Sequence, residues 1–270
     1  SECYIPAKDY ITALPNTLYR YAFDRQWMYY KQWGRLLFNP TTSDTIFTNA
    51  FESRFIGNGA ALFEAQQKVG RVPLVIASYW NATWDYTLYS EGLLSLMGNE
   101  KVELISLLQM CEKTPLEPNY MSIKEFLSPG VSGLSKKITP LQLADSLQAL
   151  CLAALDHMKN IKSEENNDLL YEISDIKTWG HLGLYFSDKL RAAVAYQQHL
   201  DSGDKKTLKS SIEWLEKATV HWQEIIAITT PIYKPVPLQH YERNDHALFH
   251  WSAIGPEVQA ELDWLRSHTL

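Results

Sequence analysis

The fold of this chain is decided by residues 175–225, DIKTWGHLGLYFSDKLRAAVAYQQHLDSGDKKTLKSSIEWLEKATVHWQEI. Apolar residues recur there at helical spacing on both sides of a short polar break. The break, DSGD at residues 201–204, supplies a glycine for a left-handed helix end and an aspartate to cap the next helix. The stretch therefore predicts an antiparallel helical hairpin, residues 166–202 and 204–229, that Pro231 ends. The two apolar faces consist of Leu182, Phe186, Leu190, Ala193, Tyr196 and Leu200, and of Leu208, Ile212, Leu215, Thr219, Trp222 and Ile226.

Long helices are also predicted outside the hairpin. No proline occurs from residue 141 to residue 230, which favours uninterrupted helices. Thr139 and Gln142 form a capping box around Pro140, which predicts a helix that ends near Asn160. Pro256 is expected to open the last helix.

The front half carries the same periodicity. Asn39-Pro40 ends a first helix, Ser43 or Asp44 caps a second that runs to about Phe55, and further helices are expected. We expect these further helices near residues 60–70, 74–90 and 100–111. The first helix is predicted to bury one face, on which Gly34 lets a neighbouring helix approach closely. That face consists of Tyr19, Phe23, Trp27, Tyr30, Gly34 and Leu37.

The predicted fold class is all-α, a multi-helix bundle of antiparallel helical hairpins with no substantial β-sheet. We expect one all-α domain over residues 1–270. Two packed sub-bundles, 1–125 and 126–270, are the alternative, because prolines and glycines concentrate between residues 112 and 138.

Composition excludes several classes of protein. The chain has 270 residues, of which 46% are hydrophobic, so it can build a core. Its net charge of −6 and lack of Lys or Arg runs argue against nucleic-acid binding. The chain contains no stretch of 18 apolar residues, so no membrane span is predicted. The cysteines, Cys3, Cys111 and Cys151, form no CxxC pair, and no cofactor motif is present.

The candidate site is the aromatic run YWNATWDYTLYSEG, residues 79–92. Asp85 and Glu91 point about 240° apart on a helix, so they do not form the facing carboxylate pair that glycoside hydrolysis needs. Aromatic rings stack on the apolar faces of sugars, although most rings in a helical bundle fill the core. We predict no catalytic residue and a sugar-contacting set of Trp80, Trp84, Asp85, Tyr89 and Glu91.

The other aromatic residues and the histidines are given simpler roles. Core packing is expected for Trp27, Tyr30, Trp214 and Trp222, and is favoured less clearly for Trp33. His246 and His250 have the i,i+4 spacing of metal ligands, with Asp245 or His240 as a third ligand. A polar, aromatic-rich loop is the favoured interpretation of that stretch, and no metal site is predicted.

Four segments together resemble the helical carboxy-terminal region of α-glucuronidase-type glycoside hydrolases, families 67 and 115 and their relatives. They follow in the same order along most of the chain. The segments are FDRQWMYYKQWGRLLFNPTTSDTIFTNAFESRFIG (23–57), ITPLQLADSLQAL (138–150), the hairpin stretch (175–225) and FHWSAIGPEVQAELDWL (249–265).

The resemblance implies an accessory domain of a bacterial protein that acts in polysaccharide breakdown. In those families the catalytic carboxylates lie in an upstream barrel, for which this chain has no room, so no catalytic residue is carried over. The implied partners are that upstream catalytic domain of the same polypeptide, a glycan, and a second copy in a homodimer. The resemblance implies a periplasmic or extracellular location, no cofactor and no activity of the chain alone.

Two alternatives remain open. A self-sufficient helical glycosidase or polysaccharide lyase predicts a deep pocket, with Asp85, Glu91, Arg35 and His181 as candidates. A helical protein-binding scaffold predicts a smooth groove. The accessory domain predicts a cluster of exposed Trp or Tyr, or a large exposed apolar patch where another domain sits.

Overall fold

A computed structural model describes residues 6–10, 17–80, 94–95, 103–130, 136–163, 166–237 and 248–268. The predicted all-α class is confirmed, because the regular structure of these residues is helical apart from two pairs of two-residue strands. The helices are α1 (Ala7–Tyr10), α2 (Ala22–Arg25), α3 (Trp27–Phe38), α4 (Thr45–Arg54), α5 (Gly59–Val69), α6 (Arg71–Trp80), α7 (Leu107–Glu112), α8 (Ile123–Leu127), α9 (Pro140–Met158), α10 (Asn167–Ser202), α11 (Lys205–Thr229) and α12 (Trp251–Ser267). The strands pair antiparallel, β1 (Leu94–Ser95) with β2 (Glu103–Leu104) and β3 (Val236–Pro237) with β4 (Leu248–Phe249).

The hairpin forms as predicted from α10 and α11. Gly203 adopts the left-handed conformation with φ of 70°, and its N–H donates to the carbonyl of His199. Asp204 then accepts a hydrogen bond from the backbone N–H of Lys206 at 2.8 Å, which caps α11. Five of the six residues predicted on the α10 face are buried, whereas Leu200 is half exposed near the helix end.

The centre of the molecule is α10, which packs against α9 and α11 and also contacts α5, α6, α7 and α8. All residues from 182 to 197 are buried, so this helix is enclosed on every side. The crossing with α9 is close, because a Cβ at Gly183 would lie 2.3 Å from Sγ of Cys151. The main core cluster extends from Met28 on α3 to Leu265 on α12, and a smaller separate cluster consists of Ala7, Tyr19, Tyr171 and Ile232. The division into two sub-bundles stays a prediction.

A buried ion pair fastens α12 to this centre. Nζ of Lys189 on α10 lies 2.6 Å from a carboxylate oxygen of Glu261, and it donates to the carbonyl of Ile105 at 2.5 Å. The other Glu261 oxygen accepts from the backbone N–H of Leu107 at 2.6 Å. Burial lowers the pKa of Lys189, and the neighbouring carboxylate opposes that shift. The pair therefore ties α12, α10 and the start of α7 together.

Three predicted boundaries change in the structure. The last helix begins at Trp251, and Pro256 lies inside it, because His250 already caps the helix by accepting from the N–H of Ser252 at 3.1 Å. The helix expected near 74–90 begins at Arg71, and its later part lies outside the described residues. The helix expected at 100–111 is preceded by β2 and begins only at Leu107.

Candidate functional site

The helix α3 turns its apolar stripe to solvent. At about 100° per residue, Tyr29, Trp33, Leu36 and Leu37 fall within an arc of roughly 100°. Their exposed fractions are 56%, 53%, 41% and 70%. We name these four side chains the α3 face. An apolar stripe that faces solvent is the reverse of the usual arrangement, in which the stripe faces the core.

The prediction of a buried face on this helix was wrong. The helix is broken at Gln26, between α2 and α3, so the predicted series does not lie on one face. Tyr30 and Leu37 are exposed, and a Cβ at Gly34 would meet no described atom within 4 Å, so none of the described helices approaches there. Periodicity identifies which side of a helix is apolar, but it does not tell what covers that side.

The first turn of α3, Trp27 and Met28, is in contrast fixed in the core, and we call it the root of α3. Met28 is 1% exposed, and the indole of Trp27 meets the ring of Phe51 edge-on at 5.1 Å. The Nε1–H of Trp27 donates to Oε1 of Glu172 on α10 at 2.9 Å. From Trp33 onward every residue of the helix is exposed. The structure therefore holds α3 at one end and leaves its other end in solvent.

A cluster of charged residues surrounds this root. We name it the root cluster and define it as Arg25, Arg54, Asp168, Glu172 and Asp175. Arg25 pairs with Asp175, and Arg54 pairs with Asp168 at 3.2 Å. The three carboxylates follow each other at spacings of four and three residues on α10, so they share one face.

Hydrogen bonds connect the root cluster to the segment that precedes α2. Asp168 accepts from the Thr17 hydroxyl at 2.8 Å and from the N–H of Leu18 at 3.2 Å. Glu172 accepts from the Tyr19 hydroxyl at 3.2 Å. The guanidinium carbon of Arg25 lies 4.9 Å from the centroid of the Tyr19 ring, within range of a cation–π contact. These contacts fasten residues 17–28 to α10.

Burial controls the electrostatics of the cluster. It raises the pKa of Glu172, while Arg25 and the Trp27 indole pull that pKa down. Burial also raises the pKa of Tyr19. Sequence analysis missed this cluster, and its only local signal was the spacing of the three acids.

A second polar group lies between α10 and α11. Nδ1 of His181 lies 3.3 Å from Nδ1 of His221, and Nε2 of His221 lies 3.6 Å from Oδ2 of the buried Asp188. One Nδ1 must donate and the other must accept, so at least one imidazole is neutral. Asp188 also pairs with Arg191 at 2.9 Å. His181, a candidate of the self-sufficient enzyme, thus contacts a histidine, and the other described candidate, Arg35, is exposed on α3.

Most of the predicted sugar-contacting residues lie outside the described part of the chain. Trp80 is the last residue of α6, and Trp84, Asp85, Tyr89 and Glu91 lie outside the described residues. The sugar contact therefore stays a prediction. The residue that opens the same aromatic run, Tyr79, is fully buried and meets Phe186 edge-on at 6.0 Å.

The expected core aromatics divide between core and surface. Trp222 is completely buried, Trp27 and Trp214 are half-buried, and Tyr30 is exposed. The exposed Trp33 lies with its ring centroid 6.1 Å from that of Tyr29, at an angle of 28°.

The histidine-rich stretch is described only at its end. His250 caps α12, and His240, Asp245 and His246 lie outside the described residues. Among the described residues, no three or more His, Cys, Asp or Glu side chains are grouped to hold a metal ion. The described helices include none that is long and apolar enough to cross a membrane.

No family model matches the chain, and no curated protein matches it. Among solved structures, it is similar to a GH138 enzyme targeting pectin rhamnogalacturonan II, with a TM-score of 0.71 and 14% sequence identity. The match covers 96% of this chain and 40% of that chain. At this identity the likeness shows the fold alone, a helical fold that part of that enzyme shares. The chain spans less than half the length of the protein that it matches.

Proposed function

We propose that this chain is the helical accessory domain of a larger glycoside hydrolase-like protein that acts in polysaccharide breakdown. The observation that carries the proposal is the unequal coverage, because almost the whole chain matches a helical part of a much longer enzyme. The catalytic domain belongs to another part of the same polypeptide, upstream of this chain. The proposal includes the α-glucuronidase-type relationship of the four sequence segments and a periplasmic or extracellular location, where polysaccharides are degraded.

The chemistry of the root cluster supports an accessory role. Both guanidinium groups and all three carboxylates engage one another or neighbouring side chains across the root of α3. Arg25 and Arg54 lie over the Tyr19 ring at 4.9 and 5.0 Å. These contacts hold an N-terminal segment in place, which is a structural task.

A second candidate function, a self-sufficient helical glycosidase, is favoured by one observation. Burial raises the pKa of Glu172, and the nearby Asp175 side chain is 42% exposed. In that scheme Glu172 protonates the leaving oxygen and Asp175 acts as the base or nucleophile.

Two measurements test the proposed function. The first is the sequence of the gene on both sides of this chain, where we expect a catalytic domain in the same reading frame. The second is the release of reducing sugar from pectic polysaccharide by the 270-residue chain and by the full polypeptide. We expect release by the full polypeptide only.

Two results would overturn the proposal. One is a frame that encodes only this chain. The other is hydrolysis by the chain alone that is lost in the Glu172→Gln variant, which would establish the self-sufficient glycosidase instead. The variant keeps the oxygen that accepts from Trp27, so its fold is expected to survive.

A further inference from the structure

We infer that the α3 face is the surface on which this chain docks to a neighbouring domain of its own polypeptide, in an apolar groove of that domain. The inference rests on the proposed function, because it requires a larger protein. It adds the residues that make the contact and the kind of surface that receives them.

The size and order of the exposed stripe are those of an interaction surface. Tyr29, Trp33, Leu36 and Leu37 occupy positions i, i+4, i+7 and i+8 of a single helix, the spacing with which amphipathic helices fill grooves on other proteins. A scattered apolar residue on a surface has no special meaning, whereas a contiguous patch marks an interaction site. Phe38, the last residue of the same helix, is 89% exposed but lies about 150° from the centre of the α3 face, so it is not part of that patch.

The side-chain chemistry of the α3 face favours a protein partner. Two of the four side chains are leucines, which have no flat face on which a sugar ring stacks. The other two are Tyr and Trp, the residues most often found as energetic anchors of protein–protein interfaces. The α3 face therefore fits a protein surface better than a glycan.

The helix α3 is also held in position before any partner binds. Its first turn is fixed by the buried Met28 and by the hydrogen bond from Trp27 to Glu172. Its last turn is closed by the N–H of Asn39, which donates to the carbonyl of Arg35 at 2.8 Å. A docking helix that is already formed and anchored loses little entropy on binding.

The length of the structural neighbour points to the occupant of this face. The structural neighbour continues beyond the region that this chain matches, which accounts for 40% of its length. A helical domain of such a protein is covalently joined to the remainder, and the α3 face offers an apolar surface for a contact between the two. The receiving groove is accordingly an apolar one on the adjoining domain.

The experiment cuts the full polypeptide after it has folded. A protease site is inserted at the junction before this chain, and the folded protein is cleaved there. Size-exclusion chromatography then shows whether the two halves, this chain and the remainder, elute together or apart. We expect the halves to remain together. In the Trp33→Ser/Leu37→Ser double variant, the fraction that remains together should fall by about tenfold or more, because the variant removes the Trp33 anchor and the exposed leucine one turn further along the same face.

The matched control is Leu74→Ser/Leu152→Ser. These leucines are 68% and 52% exposed, on α6 and α9. The control halves should stay together, and the isolated chain should unfold at the same temperature with either pair of substitutions.

Each contrary result has a distinct meaning. Wild-type halves that separate, or double-variant halves that stay together, would overturn the docking surface while leaving the proposed function intact. If the isolated chain dimerises through the α3 face, the occupant of that face is a second copy of the chain. If the isolated chain binds anionic lipid vesicles and the double variant does not, the occupant is a membrane surface. A gene that encodes no other domain would overturn the docking surface and the proposed function together.

Discussion

The α10–α11 hairpin and α3 carry the same kind of sequence pattern and have opposite environments. On the hairpin, the apolar residues predicted from helical spacing are mostly buried, with Trp222 and Leu215 at 0% exposure. On α3, the corresponding stripe faces solvent from Tyr29 to Leu37. The hairpin helices cover each other because a short, capped turn forces them together. Among the described residues no adjacent helix does the same for α3, and the proposed cover is a neighbouring domain.

The largest expected difference concerns two tryptophans. Trp222→Ala should lower the free energy of unfolding by about 3–5 kcal/mol, because it empties a site enclosed by the rings of Tyr185 and Trp251. Trp33→Ala should change it by less than about 0.5 kcal/mol in the isolated chain, since the side chain is half exposed. Urea unfolding of both variants measures the difference, and a large loss for Trp33→Ala would mean that the chain itself covers α3.

Two glycines give the next contrast. Gly183→Ala should cost about 1–3 kcal/mol, because the new Cβ would lie 2.3 Å from Sγ of Cys151. Gly34→Ala should stabilise the chain by roughly 0.5–1 kcal/mol, since the added methyl meets nothing within 4 Å and alanine favours the helix. Thermal unfolding of the two variants would show shifts of opposite sign, and destabilisation by Gly34→Ala would contradict an open α3.

The root of α3 should show an intermediate effect. Trp27→Phe retains a ring beside Phe51 but removes the N–H that donates to Glu172. We expect a loss of about 1–2 kcal/mol, because a buried carboxyl oxygen loses one of its donors. The comparison with Tyr29→Phe, a hydroxyl removed from the exposed stripe, supplies the control, which should be close to neutral in the same unfolding experiment.

The smallest effect is a pH dependence in the hairpin. Burial and the neighbouring His221 lower the pKa of His181, so the folded chain binds this proton less readily than the unfolded chain. Lys177 adds to this shift and Glu224 opposes it. The associated stability is complete above the ordinary pKa of about 6.5 and is lost as the pH falls below it.

That pH dependence is checked by substitution. Between pH 8 and pH 5, the wild type should lose more stability than His181→Gln, in which the titrating group is absent. The variant His268→Gln, changed at an exposed position on the last turn, should follow the wild type. Parallel curves for the wild type and His181→Gln would contradict the lowered pKa.

Local signals in the sequence predicted the fold well. The capping box at Thr139 and the glycine at residue 203 fix helix ends through contacts within a few residues, so they are visible in the sequence. Pro256 misled the prediction because the cap of α12 comes from His250, six residues earlier. The first helix misled it because the stop at Gln26 follows no strong breaker.

The root cluster was beyond the reach of sequence patterns. Arg25 and Asp175 are separated by 150 residues, and Arg54 and Asp168 by 114 residues. Only the folded chain brings these charges together, and the acids on α10 resemble an ordinary solvated face until their partners are known. The predicted sugar-contacting residues from Trp84 to Glu91 lie outside the described residues and stay a prediction.

Hydrogen exchange of α3 tests the central claim most directly. Amides of residues 30–38 and of α10 are compared in the isolated chain and in the full polypeptide. We expect α3 to exchange much faster than α10 in the isolated chain, and to slow by about tenfold or more in the full polypeptide, while α10 stays the same. Protection of α3 equal to that of α10 in the isolated chain, or no slowing in the full polypeptide, would contradict the account.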